Sequence, residues 1–183
     1  LMDIVEAMKG NSIVMATYRN FHNKKPYTFP IAPYCLKIFQ KRWYVLALSI
    51  DEDKPRIYGL DRFENVALTK EHFKLPANFD AKEFFSTFFG VVIDESVPVQ
   101  RIVVRAYGAH QHYMRSLPLH PSQTELHACE DYADFELTLR PTYDFIMELL
   151  SYGAMIEVME PLSLRQTIHE WIKDSNELYD NAK

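Results

Sequence analysis

The sequence predicts an α+β chain in two parts: a small five-stranded β-barrel, then a ferredoxin-like βαββαβ unit with a C-terminal helix. Three observations carry that prediction. Residues 12–75 hold five short apolar or alternating runs with no long helical pattern among them, which suits a small barrel. From Val99 onward the strand and helix patterns run in the order βαββαβα. Between them, residues 76–98 form a linker with a phenylalanine-rich helix, and the apolar periodicity changes across it.

Taken in order, Ile4, Val5 and Met8 sit at helical spacing, so residues 1–11 read as the end of a helix linking to an upstream domain. Gly10-Asn11 breaks it, glycine being the usual residue past a helix end. The first residue is Leu1 rather than Met, which reads as a fragment of a longer protein. Ser12–Tyr18 is a strand. A polar turn over Phe21–Lys25 follows, where His22 and Lys24-Lys25 read as a solvated loop. Pro26–Phe39 holds the second strand, bulged or at an edge at Pro30 and Pro33, since proline cannot donate to a ladder. Arg42–Leu48 is an unbroken apolar run with aromatic and β-branched residues, a buried strand. An acidic hairpin loop, Ser49–Pro55, leads to a strand over Arg56–Arg62, and alternation from Phe63 to Thr69 gives the fifth.

Asp80 reads as the cap of a helix over Ala81–Phe89, ended by Gly90. Its four phenylalanines, Phe84, Phe85, Phe88 and Phe89, demand burial, read as packing between two domains rather than a ligand pocket. The second half then gives a strand at 99–107, a helix at 109–117, a hairpin of 124–128 with 133–139, a helix at 142–151, a strand at 155–159 and a helix at 161–179. Leu164, Ile168, Trp171, Ile172 and Leu178 form the apolar face of that last helix.

Net charge is −5, which excludes a general nucleic-acid binder. The halves differ, however: residues 1–79 carry 12 Lys+Arg against 8 Asp+Glu, or +4, leaving −9 for the rest. An anion-binding surface therefore belongs in the first half. No apolar run approaches the roughly 20 residues that span a bilayer. Cys35 and Cys129 lie far apart without metal-type spacing, which fits free, buried thiols in a reducing cytoplasm. His110 and His112 are two apart and diverge on a helix, and neither they nor His120 and His127 complete a ligand set, so no metal is expected. No phosphate-binding glycine loop and no nucleophile motif is present, so neither a cofactor nor an enzymatic activity is expected.

Arg42, Arg56 and Arg62 interleave with Tyr18, Tyr44 and Tyr58 on neighbouring strands, the pattern of an anion- or nucleotide-contacting surface. These six are the expected ligand-binding residues. The plain alternative makes them structural, with Arg62 paired to Asp61 or Glu64 and Tyr44 in the core. Trp43 reads as a packing residue, and Asp61 as a residue that orients an arginine or caps a turn rather than a catalytic one.

The same residues carry a family resemblance. Trp43-Tyr44-Val45, Tyr18, Pro33-Tyr34-Cys35-Leu36 and Arg56-x-Tyr58-x-Leu60-Asp61-Arg62-Phe63 together resemble a WYL domain over residues 12–70. Val45 replaces the third letter of the tripeptide. Tyr27-Thr28-Phe29-Pro30 lacks an arginine that the family often carries there. The segment from Glu148 to Pro161 resembles the C-terminal extension that follows such domains. The resemblance implies a Sm/SH3-like barrel in the effector-sensing and oligomerisation region of a bacterial transcriptional regulator. It would bind a nucleotide or a short single-stranded nucleic acid, form a homodimer, and reach DNA through an N-terminal helix-turn-helix domain. The alternatives are a purely structural dimerisation module without ligand, and an enzyme acting on nucleic acid, for which no general base or metal site is found.

Overall fold

A computed structural model describes residues 1–21 and 25–180, so His22 and Lys24 of the first turn lie outside the described residues. The chain divides into two compact units, Leu1–Ala81 and Lys82 onward.

The first unit opens with helix α1 (Met2–Gly10), whose inward residues Ile4 and Ala7 are fully buried. Gly10 stays helical. The left-handed residue that stops the helix is Asn11, with φ 48°, its N–H turned back to the carbonyls of Ala7 and Met8. Asparagine tolerates that conformation at little cost. Strands β1 (Ser12–Tyr18), β2 (Tyr27–Phe39), β3 (Arg42–Ser49), β4 (Lys54–Gly59) and β5 (Phe63–His72) form one antiparallel sheet in the order β4-β3-β2-β1-β5. The β2–β3 hairpin turns on Gln40 and Lys41, both with positive φ, a two-residue turn whose usual Asn-Gly signal is absent. At Pro33 β2 is irregular as expected, its register to β3 shifting between Pro33 and Cys35, whereas Pro30 lies in regular register opposite Met15 in a central strand. Val14, Ala16, Ile31, Val45 and Ala47 pack with α1 into the core.

The expected strand over Arg56–Arg62 ends early. Leu60–Arg62 form a 3-10 turn that carries the chain from β4 to β5. Gly59 permits it, because a Cβ there would stand 2.8 Å from Asp61 Oδ1 and 3.0 Å from Arg62 Nε. This turn joins the two outer strands of the sheet, and no ladder pairs β4 with β5 among the described residues.

In the second unit the helix expected to reach Phe89 is only α2 (Ala81–Phe85). Beyond it the chain extends: Phe88 bridges to Arg140, and Phe89 packs against Phe145 at 5.5 Å, within this unit's own core. Then come β6 (Gln100–Tyr107), α3 (His110–Ser116), β7 (Thr124–Ala128), β8 (Tyr132–Leu139), α4 (Tyr143–Ser151), β9 (Ile156–Glu160) and α5 (Leu162–Asp180). All pairs in the sheet are antiparallel, in the order β7-β8-β6-β9. That is the split βαββαβ arrangement the element order predicts. Alternation along β6 sends Ile102, Val104 and Ala106 into a core with Phe135, Leu137 and Phe145. Arg101 and Arg105 point the other way, where Arg105 grips Asp134 through two hydrogen bonds of 2.7 and 2.9 Å. No described helix is long and apolar enough to cross a membrane.

Candidate anion site on the first unit

Strand register decides which of the six expected residues meet. Val45 pairs with Tyr58 and Ala47 with Arg56, so Arg56 and Tyr58 share the core-side face of β3 and β4. Tyr44 pairs with Gly59, which puts Tyr44 and Arg42 on the opposite face. The six residues therefore do not form one patch on one sheet face.

Tyr58 and Tyr18 do come together. Both are buried, with ring centroids 5.3 Å apart, in an aromatic cluster with Tyr27, Phe29 and Phe63. The Tyr18 hydroxyl accepts a hydrogen bond from the Gly59 N–H at 3.3 Å. Burial raises the Tyr18 pKa, with Arg62 and the Gly59 bond working against it. Burial pushes Tyr58 up to about 12, opposed by a hydrogen bond with Ser49. Such a phenol stays neutral longer in the folded chain than in the unfolded one, whose value is near 10. Its stabilising contribution is intact below about pH 10 and is lost as pH rises from there toward 12. A urea midpoint that falls over that window in the natural chain, and falls less in Tyr58→Phe, is the expected result.

Arg62 is the centre of the arrangement. Its guanidinium carbon lies 5.4 Å from the centroid of the Tyr18 ring and 4.9 Å from that of Phe21. Its buried Nε has no hydrogen-bond partner among the described residues. The pairing of Arg62 with Asp61 or Glu64 that the sequence offered is replaced: Arg42 pairs with Asp61 at 3.4 Å, and Arg19 with Glu64. Arg56 pairs with Glu52 in its own hairpin loop. So Arg62 and Tyr18 stand at one end of β4, Arg42 joins them through Asp61, and Arg56 is held elsewhere. Trp43 is not a packing residue. It is 45% exposed, opposite the exposed Ile38 on the outer reach of the β2–β3 hairpin, while Tyr44 is half-buried.

Sequence reasoning missed Phe21, which lies in a polar turn and meets Arg62 only in the fold, and Gly59, whose missing side chain admits Arg62. The residues between Tyr58 and Arg62 held a signal, since a glycine inside a strand pattern marks a close approach. In the second unit His110 packs on Tyr113 and Tyr152, whereas His112 sits by Arg115. No cluster of three metal-ligating side chains occurs among the described residues.

Comparison with known proteins follows the same division. A WYL domain model matches residues 1–68 and a WCX domain model matches residues 98–175. No curated protein matches the chain. Among solved structures, a CRISPR Cas-related protein is 12% identical, with a TM-score of 0.53 over 100% of this chain and 51% of that one. Proteasome accessory factor B/C of Arthrobacter aurescens is 20% identical, with a TM-score of 0.43 over 91% of this chain and 25% of that one. The chain thus spans about half and a quarter of the lengths of these two structures.

Proposed function

Because the chain is a WYL-domain protein, with a WYL domain followed by a WCX domain, we propose that it is the effector-sensing and assembly region of a bacterial transcriptional regulator. It works in the cytoplasm, and DNA is read by a separate domain of the regulator. The first unit, taken as a Sm/SH3-like barrel closed by the turn at Leu60–Arg62, binds an anion: a nucleotide or a short single-stranded nucleic acid. The second unit joins two copies. Arg62 makes the central contact, Tyr18 and Tyr58 form its aromatic wall, Arg42 and Tyr44 extend the site past Asp61 from the opposite sheet face, and Arg56 adds positive potential from further along β4.

The observation that carries the reading is the buried, unpartnered Nε of Arg62 beneath two aromatic rings. A buried donor without an acceptor costs about 1–3 kcal/mol, a cost that a phosphate or carboxylate oxygen removes. Titration of nucleotides and short labelled oligonucleotides tests it. The affinity of a single strand should fall with salt, with a log–log slope of about 0.7 for each phosphate contacted. Absence of binding to every anion would favour the structural dimerisation module. That second reading has its own support, since Arg19, Arg42 and Arg56 are each already paired with a carboxylate inside the chain.

A further inference from the structure

A cavity of about 690 Å³ lies within the second unit, where α5 passes over β9. Three stretches of the unit's own chain line it. The end of α4 and the turn after it contribute Leu149 and Ala154, β9 contributes Ile156 and Val158, and α5 contributes Leu162 and Ile172. Leu162 and Ile172 stay 77% and 52% exposed, apolar surface that a bound molecule would cover. The lining holds two oppositely charged side chains, Glu157 and Arg165, and both are engaged. Arg165 pairs with Glu157 and donates to the Val158 carbonyl at 2.7 Å, and Glu157 also accepts the Tyr107 hydroxyl. The Tyr107 hydroxyl, and after it Arg165, hold the Glu157 carboxyl below the usual carboxylate range. Gln166 donates to Glu170 at 3.2 Å. His169 is then the polar side chain of the lining that makes no hydrogen bond among the described residues.

From this we infer that the cavity is a second ligand site, built for an uncharged, mainly apolar small molecule. The inference stands apart from the anion site: it concerns the other unit and the opposite chemistry, and the failure of either leaves the other in place. Size selects a small molecule, because sites for such ligands enclose about 300–1,000 Å³. Lining from α4, the turn, β9 and α5 lets one compact molecule bury most of its surface at a single place. Charge selects the class. A carboxylate ligand would have to take Arg165 from Glu157, and an ammonium ligand would have to take Glu157 from Arg165 and Tyr107. Either exchange strands a protein charge beside Ile156 and Val158, which is costly. An uncharged molecule leaves those bonds intact and gains from apolar burial alone. His169, able to donate or accept one hydrogen bond, is the polar group left to orient it.

Fluorescence titration of the full chain with two dyes of one skeleton tests this. Phenylnaphthylamine is uncharged, and anilinonaphthalene sulfonate is the same aromatic framework with a negative charge added. The uncharged dye should bind, and at least roughly tenfold more tightly than the sulfonate. Two variants at exposed lining positions should each weaken the uncharged dye on the order of tenfold or more: Ala154→Trp, which fills the cavity, and Leu162→Asp, which sets a charge at its edge. Leu178→Asp, at a 75% exposed position of α5 outside the cavity, should leave dye binding unchanged. Circular dichroism checks that each variant is folded. An uncharged dye that does not bind, a folded lining variant that binds it like the natural chain, or an equal loss in Leu178→Asp would each overturn the site. Tighter binding of the sulfonate would assign the cavity to an anionic amphiphile and overturn the uncharged class. Dye binding that disappears as the protein is raised from on the order of 1 to 100 μM would show that a second copy covers the cavity, and would overturn the small-molecule site.

Discussion

Arg62→Ala should weaken binding of a phosphate-bearing ligand by about 1.5–3 kcal/mol, the worth of a hydrogen bond to a charged group, or roughly 10- to 150-fold. The urea midpoint should hardly move. The substitution removes a guanidinium lying over Tyr18 and Phe21, but it also removes the unpartnered buried Nε, and the two effects offset each other. Arg56→Ala should weaken binding less, since Arg56 already holds Glu52 and a ligand must compete with that carboxylate. The pair of measurements, ligand affinity and urea midpoint, separates a site residue from a structural one. An Arg62→Ala chain with unchanged affinity and a lowered midpoint would show that this arginine braces the turn at Gly59 and that the ligand binds elsewhere.

Truncation of Asp144 should produce the largest loss of stability, and in the second unit alone. One oxygen of its carboxylate accepts the N–H groups of Val91 and Val92, each at 2.7 Å, and so fixes the irregular segment that follows Phe89. Asp144→Ala leaves two partly buried donors without an acceptor and should cost roughly 2–4 kcal/mol. Gly90 belongs to the same device: a Cβ at that position would collide with the Asp144 carboxylate. Gly90→Ala should therefore displace the carboxylate and reproduce much of the loss. The double variant should lose clearly less than the sum of the two, because both changes break the same bonds. With Trp43 replaced by phenylalanine, Trp171 fluorescence reports on the second unit during urea unfolding. Additive losses would mean that Gly90 and Asp144 act independently, against the geometry.

Much of the architecture was legible because secondary structure follows local periodicity. The apolar run of β3, the helical spacing of Ile4, Val5 and Met8, and the order of elements after Val99 are written in neighbouring residues. The charge division was legible too, since it is a count. The site was legible only as a set of residue types. Arg42, Tyr44, Arg56 and Tyr58 lie on adjacent strands as expected, yet pairing Tyr44 with Gly59 and Val45 with Tyr58 assigns them to opposite faces. One step of register would reverse that assignment without changing any local pattern.

What the sequence determined by itself, then, is the α+β composition, the two-part order and the residues with the chemistry to hold an anion. Tertiary structure decided which of those residues come together. Glu52, Asp61 and Glu64 engage three arginines and leave the Nε of Arg62 unpartnered, a choice made across pairs up to 45 residues apart. It also decided that Phe89 leaves the helix for the second core while Phe88 bridges to Arg140, and that the apolar line of α5 outruns its buried part. The reason is the same in each case. Local pattern fixes the direction of a side chain relative to its own element, but a partner is supplied by an element distant in sequence, and only packing and strand register bring the two together.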